Sequence, residues 1–530
     1  MSRFTDSPIA SRCHLRLLGS IVLGVLLVAC ILNYIWTSTP DPVVLAHAGE
    51  VSSVTSAATH TLSLPFVVSQ YCGPHPPAPS PFSIQIAALH QMARTAEGDQ
   101  SLVMLTEDEW LALYDTAFVT LTTALAESGA GWSRVAINWA WIQPGEPPAE
   151  YVWGPYHDEK LLLVAEAGVR LIGTVMMAPD WAAETLCDPI YPDRLDEFAG
   201  FLTDLVNRYK QPPYNIKHWE LFNEPDFSWT GGAGIGMACW GYDGDKYAQM
   251  LAAAYPAIKA ADPEATVLMG GVAYDWFIEY GGPFNRYFPD EVMANGGGDY
   301  IDTLTFHYFP GYHAEWERWV PHGNPPTCGL VEDGLGTPYE AWGIDVIAKT
   351  NHFRNRMSTC FGVDKPVWVT ELGEHGYSND PDSLAQQARY VIKGNVRALS
   401  AGVENISWYA MDTYNDNYET ALLFEDWTPK PAFYAYQTMT AELTGYEYAR
   451  ALDVPSAEAY VFTDVCGQEK TVAWGSGTLT VASAGRLRVV DRDGNETVVV
   501  DGGAGDVDGV QNGVVMLQLA DEPVFVTIEQ

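Results

Sequence analysis

The segment HWELFNEPDF, residues His218–Phe227, begins as a buried strand and ends abruptly on polar groups. Trp219 and Leu221 supply the bulky side chains that favour a strand. Glu224 then places a carboxylate at the end of the segment, and Pro225 cannot extend a sheet ladder. The segment therefore predicts a buried strand whose last residues present polar side chains instead of further core.

Short apolar runs of this kind recur along the chain, and a longer helical pattern follows each of them. The eight runs begin at Phe82, Ser133, Val169, Ile216, Ala265, Ile301, Pro366 and Val403. Asp193–Lys210 and Ser383–Gly402 are examples of the intervening helical patterns. Successive runs start 36 to 65 residues apart, and a strand–helix unit needs at least about 30 residues. The pattern predicts an α/β protein in which residues 79–444 form a parallel (β/α)8 barrel, known as a TIM barrel.

A doubly wound open sheet is the structural alternative. Such a sheet usually carries a glycine-rich phosphate turn after its first strand. The corresponding segment here is ALHQMART, Ala88–Thr95, which contains no glycine. The barrel is therefore the favoured architecture.

The pattern of apolar and polar residues changes beyond about Thr444. Apolar and polar residues alternate between glycine and aspartate turns, which predicts a small antiparallel β-sandwich domain over residues 445–530. Within it, DRDGNE at Asp491–Glu496 resembles a calcium loop. Because no bidentate glutamate follows at loop spacing and strands flank the segment, a hairpin turn is favoured.

The N-terminal region predicts export. Residues 17–36 form a run of twenty mainly apolar residues, enough to span a bilayer core. Arginines precede the run, so residues 1–16 are expected in the cytoplasm, with an uncleaved transmembrane anchor at 17–36 and a linker at 37–78. A lipoprotein cleavage at Cys30 and a secreted form cleaved near Ala46–Ala48 are alternatives. Each of these readings places the remaining chain outside the cytoplasm.

The charge of the chain limits its partners. The 530 residues carry 28 basic and 67 acidic side chains, a formal net charge of −39. Such a surface repels nucleic acid and anionic lipid, and it does not suit an acidic polymer. A neutral ligand is expected, with membrane contact through the N-terminal segment only.

Six of the eight cysteines lie beyond the anchor region, an even number that fits an oxidising compartment. They contain no CxxC pair and no zinc-ligand spacing, so disulfides are favoured over a metal site. We expect neither a metal nor a cofactor. The predicted pairs are Cys187–Cys239, Cys328–Cys360 and Cys72–Cys466.

The ends of the predicted strands carry the candidate chemistry, because barrel enzymes act at the carboxyl ends of their strands. Strand four ends on Glu224 and strand seven on Glu371, and strands three or four apart lie across the ring. Two facing carboxyl groups are what glycosidic bond cleavage requires. Taken singly, each glutamate is as well explained as a solvated strand-end residue. Glu220 shares the inward side of Glu224 but lies deeper, which predicts a buried, hydrogen-bonded core residue.

These strand ends carry a family resemblance. WELFNEP, with Glu224, is followed by WVTELG, with Glu371 placed 147 residues later. The two motifs resemble the acid/base and nucleophile strands of the retaining (β/α)8 glycoside hydrolases of clan A, which include cellulases, mannanases and β-xylosidases. The likeness spans about Pro81 to Thr440 and includes TPKPAFYAY at Thr428–Tyr436.

The resemblance implies roles for individual residues. Glu224 would be the general acid/base, with a pKa raised by partial burial near Glu371, the nucleophile. The substrate-binding residues would be Asn223 at the sugar 2-hydroxyl, His307 or Tyr308 at the substrate or orienting Glu371, Trp408 beneath the sugar, and Trp181 and Arg134. For Arg134, which the family often places near the nucleophile, a barrel-interior ion pair is an equal alternative.

Three functions compete. The first is a cell-surface retaining β-glycosidase. The second is a non-catalytic carbohydrate-binding protein on the same barrel, which the presence of both glutamates disfavours. A metal-dependent TIM-barrel hydrolase would need a His-x-His pair at the end of strand one, where only His90 is found.

Overall fold

Eight parallel strands follow one another around a closed ring. They are β1 (Phe82–Gln85), β2 (Trp132–Asn138), β3 (Arg170–Met176), β4 (His218–Asn223), β5 (Thr266–Gly271), β6 (Leu304–Tyr308), β7 (Val367–Leu372) and β8 (Val403–Trp408). The hydrogen-bonded order is β5-β4-β3-β2-β1-β8-β7-β6. Parallel bridges from Leu268 to Thr303 and from Val272 to Phe306 join β5 to β6. The predicted barrel is confirmed, and each of its strands falls on one of the eight apolar runs.

In this computed structural model the described residues are 79–86, 119–154, 156–228, 239–319, 342–412, 419–482 and 485–529. They belong to one unit, Val68–Gln530. The predicted cytoplasmic segment 1–16, anchor 17–36 and linker 37–78 lie outside the described residues. Within the described ranges, no helix is both long and apolar enough to cross a membrane.

Helices connect the strands and surround the ring. Residues 119–128 are helical, and the further helices are Trp139–Ile142, Tyr156–Glu166, Leu195–Tyr209, Gly244–Ala261, Phe288–Ala294, His313–Trp319, Asp345–Phe361, Pro381–Ser400 and Pro431–Leu443. Short 3₁₀ turns lie at Pro192–Arg194, Ile278–Tyr280, Gly297–Tyr300 and Pro310–Tyr312.

The helix Leu195–Tyr209 shows why these segments are helical. It buries Phe198, Phe201, Leu202 and Leu205 at the three- and four-residue spacing of one helix face. Complete burial of one such side chain contributes about 1.5–3 kcal/mol. This apolar face explains both the helix and its position against the barrel.

The C-terminal region forms two antiparallel sheets. The larger has the order β14-β13-β16-β11-β10-β9, and the smaller pairs β12 with β15. The strands are β9 (Tyr446–Ala451), β10 (Ala457–Asp464), β11 (Glu469–Gly475), β12 (Thr478–Ala482), β13 (Arg486–Asp491), β14 (Glu496–Val500), β15 (Val514–Gln518) and β16 (Val524–Ile528). Both sheets contribute to one apolar cluster that includes Leu479, Leu487, Val515 and Val526. The β-sandwich is confirmed.

The segment Asp491–Glu496 is the turn of the hairpin between β13 and β14. The Asp491 carboxylate accepts the backbone N–H groups of Asp493 at 3.0 Å and Asn495 at 2.8 Å. The aspartate therefore stabilises the turn itself, as the hairpin interpretation predicted.

A seam of ion pairs joins the sandwich to the barrel. The Arg397 guanidinium, on the barrel helix Pro381–Ser400, donates to both carboxylate oxygens of Glu458 at 2.9 and 2.6 Å. Lys470 on β11 lies 2.6 Å from the Glu442 carboxylate on the last barrel helix. These pairs are largely shielded from solvent, so removing one partner would leave a costly unpaired charge.

The cysteine prediction is confirmed for one pair. Cys187 and Cys239 form a disulfide that ties the segment after β3 to the segment after β4. Cys360 and Cys466 are also disulfide-bonded. Their predicted partners, Cys328 and Cys72, lie outside the described residues, so those two pairings stay predictions.

Candidate active site

The backbone at the end of β4 turns Glu224 into the mouth of the barrel. Phe222 and Glu224 have φ angles of 66° and 42°, in the left-handed region that non-glycine residues rarely adopt. The Glu224 N–H donates to the Gly271 carbonyl at 2.9 Å, which holds this turn against β5. Strain of about 1–3 kcal/mol per residue persists only where the surroundings enforce it, as at functional sites.

Glu371 is the second-last residue of β7 and is buried, with 6% of its surface exposed. On the neighbouring strand β6, His307 pairs with it in register. One carboxylate oxygen each of Glu224 and Glu371 and one imidazole nitrogen of His307 all lie within 4.8 Å of one another. The structure thus brings both predicted glutamates together across the barrel mouth.

His307 lies between the two carboxylates. Its Nδ1 is 3.1 Å from Glu224 Oε1 and 3.5 Å from Glu371 Oε2. A Cβ atom at Gly271 would lie 2.3 Å from His307 Nε2, so the imidazole fits against β5 only because that residue is glycine. Burial lowers the pKa of His307 to about 4, so the ring is neutral near pH 7.

The Arg134 guanidinium reaches from β2 to three other strands. It donates to Gln85 Oε1 at 2.6 Å, Glu220 Oε2 at 2.6 Å, Glu371 Oε1 at 2.7 Å and Asn223 Oδ1 at 2.7 Å. Arg134 therefore makes an interior ion pair with Glu220, as one interpretation predicted, and also contacts Glu371, while its predicted contact with substrate stays a prediction. Glu220 is fully buried and hydrogen-bonded to Arg134 and Thr174, as predicted.

The two glutamates differ in their electrostatic surroundings. Burial and then the Asp275 carboxylate raise the pKa of Glu224 to about 7, against the opposing charges of Arg134 and Lys349. The predicted direction and its main cause, burial, are correct, but the neighbouring carboxylate that adds to the rise is Asp275 and not Glu371. Burial also raises the pKa of Glu371, while His307 and Arg134 oppose the rise. With a pKa of about 7, the Glu224 carboxyl group is partly protonated at neutral pH.

Sequence reasoning missed three buried ionisable residues behind this site. Asp226 and Asp275 lie just after β4 and β5, and Lys349 lies on the helix Asp345–Phe361. Both aspartates follow strand ends, a signal that could have identified them. Lys349 lies three residues after Val346 and four before Phe353, on the apolar face of its helix, and this spacing is a signal that could have identified it as buried.

Three of the predicted substrate-binding residues are buried or half-buried, and each is hydrogen-bonded to another protein group. Tyr308 is buried, and its hydroxyl lies 2.8 Å from His313 Nδ1. Trp408 is fully buried, and its indole N–H donates to the Thr420 carbonyl at 2.9 Å. Trp181 is half-buried and donates to the Gln143 carbonyl at 3.2 Å. In this structure Trp408 thus has no open ring face beneath a sugar.

A pair of parallel aromatic rings lies near Glu224. Trp276 and Tyr312 are both half-buried, with ring centroids 6.3 Å apart and planes 14° apart. Burial, and then the carboxylates of Asp275 and Glu224, raise the pKa of Tyr312 to about 12. This electrostatic coupling places the aromatic pair beside the carboxylate cluster.

Glu224, His307 and Glu371 are also, among the described residues, the group compact enough to share a metal ion. However, Arg134 already supplies a positive charge to Glu371. The ion pair with Arg134 disfavours a second cation at the same carboxylate.

Comparisons with known proteins give the enzyme class. The family profile of cellulase (glycosyl hydrolase family 5) matches residues 178–413, which contain β4 to β8 and both glutamates. The match confirms the resemblance to clan A glycoside hydrolases, and the chain is a glycosidase. No curated protein sequence matches the chain.

Several solved structures share the fold. A family 39 glycoside hydrolase from Bacteroides cellulosilyticus is 18% identical, with 85% of this chain and 81% of that chain covered and a TM-score of 0.59. A glucosidase from Croceicoccus marinus is 15% identical, with 77% and 92% covered and a TM-score of 0.51. A conserved exported protein from Bacteroides fragilis is 12% identical, with 75% and 88% covered and a TM-score of 0.52. At these identities the likeness establishes the fold alone.

Proposed function

We propose that this glycosidase cleaves β-linked neutral glycosides with retention, using Glu224 as general acid/base and Glu371 as nucleophile. The separation of the two carboxylates carries the proposal. Retaining enzymes place their two carboxyl groups about 5–5.5 Å apart, whereas inverting enzymes leave about 6.5–9.5 Å for a water molecule. Here the nearest Glu224 and Glu371 oxygens lie within 4.8 Å.

In the first step, Glu371 attacks the anomeric carbon and Glu224 protonates the departing glycosidic oxygen. Arg134 holds Glu371 Oε1 at 2.7 Å. Oε2 is therefore the oxygen that forms the new carbon–oxygen bond. The glycosidic bond breaks, the aglycone leaves as an alcohol, and a glycosyl ester of Glu371 remains.

In the second step, ionised Glu224 removes a proton from water, which attacks the anomeric carbon and releases Glu371. The same carboxyl group must alternate between its two protonation states. A pKa of about 7 suits this exchange, because proton transfer is most efficient when the pKa lies near the working pH.

Three features support a neutral sugar as substrate. Arg134 holds Asn223 Oδ1 at 2.7 Å, which orients the amide NH₂ of Asn223 as a donor to the sugar 2-hydroxyl. Trp276 and Tyr312 offer ring faces on which the C–H groups of a pyranose can pack. The net charge of −39 is unfavourable for acidic polymers.

The proposed location is the outer cell surface, with residues 17–36 as the membrane anchor. The apolar run itself and the disulfide between Cys187 and Cys239 support this location.

The stereochemistry of hydrolysis tests the proposal. The purified protein is screened on nitrophenyl glycosides and on β-glucan, xylan and mannan, and the first product anomer is followed by proton NMR. We expect the β-anomer before mutarotation. An α-anomer as first product would exclude Glu371 as a covalent nucleophile. Saturable sugar binding without turnover on the whole panel would favour the non-catalytic alternative.

A further inference from the structure

Lys349 is a buried cation behind the proposed acid/base. It lies on the helix Asp345–Phe361 with 1% of its surface exposed. Its ammonium donates to the Ala273 carbonyl at 2.5 Å and the His307 carbonyl at 2.9 Å, and it lies 3.5 Å from Asp275 Oδ2. Lys349 therefore connects the segment after β5 to β6 at the level of the two glutamates.

Asp226 makes a second connection at the same level. It is fully buried and lies two residues after Glu224. Its carboxylate accepts the backbone N–H groups of Ala273 at 3.1 Å and Tyr274 at 2.8 Å. The turn that carries Glu224 is thereby fixed to the segment that Lys349 also holds.

The contacts close into a ring around the proton donor. Glu224 contacts the His307 imidazole at 3.1 Å, and the His307 carbonyl accepts from Lys349. Lys349 also binds the Ala273 carbonyl, and the Ala273 N–H binds Asp226, which returns to Glu224 along the chain. A shift of Lys349 would therefore move His307 relative to Glu224.

We propose that Lys349 and Asp275 are positioning residues for proton transfer, in which Lys349 holds His307 against Glu224 and Asp275 holds the Lys349 ammonium in place. This inference rests on the proposed role of Glu224 as acid/base. Neither residue touches the sugar. Each acts on the reaction through the placement and the charge environment of Glu224.

The charges of the pair act on Glu224 in opposite directions. The Asp275 carboxylate raises the pKa of Glu224, and the Lys349 ammonium lowers it. The titratable and charged groups that face Glu224 are Asp275, Lys349, Arg134, His307, Glu371, Asp226 and Tyr312. Asp275 and Lys349 can each be neutralised without touching the two carboxylates.

The sign of each expected effect follows from the protonated form of Glu224 that the first step needs. The basic limb of kcat/KM against pH reports the pKa of this group in the free enzyme. Asp275→Asn removes a negative charge, stabilises the carboxylate and should move the limb to lower pH. Lys349→Met removes a positive charge and should move it to higher pH. Each shift is expected to be of the order of one pH unit.

The experiment measures kcat/KM from pH 4 to 10 for the full chain and both variants, on a glycoside that the parent cleaves. Lys470→Met is the matched control, because Lys470 is also buried and ion-paired but lies at the seam with the sandwich. Its limb should stay at the parental pH. The inference would be overturned if the basic limb stayed at the parental pH in both Asp275→Asn and Lys349→Met. It would also be overturned if the limb moved in the same direction in both variants.

Two further measurements separate the possible failures. If Lys349→Met does not fold, Asp275→Asn decides alone, since asparagine has nearly the shape of aspartate, and an unmoved limb overturns the inference. In Glu224→Ala, with an activated leaving group, the basic limb should vanish. A limb that persists there contradicts the proposed role of Glu224, whereas a limb that depends on Glu224 but ignores Asp275 contradicts only the positioning proposal.

Discussion

The carboxylates of Glu224 and Glu371 approach within 4.8 Å of each other, although they lie on strands β4 and β7 and 147 residues apart in the chain. His307 Nδ1 contacts both carboxylates, at 3.1 and 3.5 Å. Two acids this close to one imidazole titrate as a coupled pair, because each changes the charge that the other experiences. Their surroundings differ, since Arg134 binds Glu371 and the Asp275 carboxylate acts on Glu224. Their difference is the basis of the first three predictions.

Replacement of the proposed nucleophile should abolish turnover. Glu371→Ala removes the group that forms the covalent intermediate, so kcat should fall by several orders of magnitude on every glycoside. Azide should restore part of the rate by attacking in its place and should yield the α-glycosyl azide, identified by NMR. The control is Glu404→Ala, which changes an exposed glutamate of β8 and should leave kcat unchanged. Near-parental turnover by Glu371→Ala would remove this residue from the mechanism.

The effect of replacing the proposed acid/base should depend on the leaving group of the substrate. Glu224→Ala should lower kcat/KM about 10²–10⁴-fold on natural linkages, which need protonation of the leaving oxygen. Dinitrophenyl glycosides need little protonation, so Glu371 should still be glycosylated and a burst of dinitrophenol should appear. Azide should then release the β-glycosyl azide. The opposite anomers from the two variants assign the two roles, and the same anomer from both would contradict the assignment.

Activity should follow a bell-shaped pH profile. Glu224 must be protonated for the first step and has a pKa of about 7, so kcat/KM should fall above about pH 7. Glu371 must be ionised, and burial raises its pKa above the usual value, so activity should also fall on the acidic side. His307 is neutral throughout this window because its pKa is about 4. Full activity sustained to pH 9 would be incompatible with Glu224 as the acid.

Lysine should not replace Arg134. A lysine has one ammonium and cannot bind the four acceptors that the guanidinium holds. Arg134→Lys should lower kcat by about 10²-fold or more. It should also lower the free energy of unfolding by about 1–3 kcal/mol for each buried acceptor left unpaired, measured by urea denaturation.

Arg208→Lys is the matched control for Arg134→Lys. Arg208 pairs with Asp158 at a partly exposed position. The free energy of unfolding should change there by no more than about 1 kcal/mol, and kcat should not change. Equal effects of the two substitutions on kcat and on the free energy of unfolding would show that the four contacts of Arg134 contribute no more than the partly exposed pair of Arg208.

Cys360 and Cys466 should be found paired with Cys328 and Cys72. The first pair would staple the long insertion between β6 and β7 to its helix, and the second would tie the lead-in segment to the sandwich. Non-reducing peptide mapping should recover these two cross-linked peptides together with Cys187–Cys239. Peptides that join Cys360 directly to Cys466 would refute both pairings.

The barrel could be predicted from the sequence because each of its strands is a separate short apolar run. Burial of these runs depends on local pattern, so β1 to β8 could be placed without knowledge of their neighbours. β9, Tyr446–Ala451, lies within the predicted sandwich but carries a weaker strand signal, because most of its residues are exposed. The hairpin at Asp491 was predictable because its turn residues act on their own backbone.

The inner part of the site was less predictable, because its properties arise between distant segments. The proximity of Glu224 and Glu371 followed from strand order. The cause of the raised pKa of Glu224 did not, since Asp275 and Lys349 approach it only through the fold. The complete burial of Trp408 likewise depends on what packs over it and not on its own segment.

Because of the contacts of Arg134, the activity of the enzyme depends on the correct register of several barrel strands. From β2, its guanidinium contacts side chains of β1, β4 and β7 at the same time. A shift of one residue in any of these strands would turn the acceptor to the other face of the sheet. A chain with native helices but one misregistered strand would therefore be catalytically silent. Specific activity, compared with circular dichroism on the same sample, measures the fraction of molecules whose barrel has closed correctly.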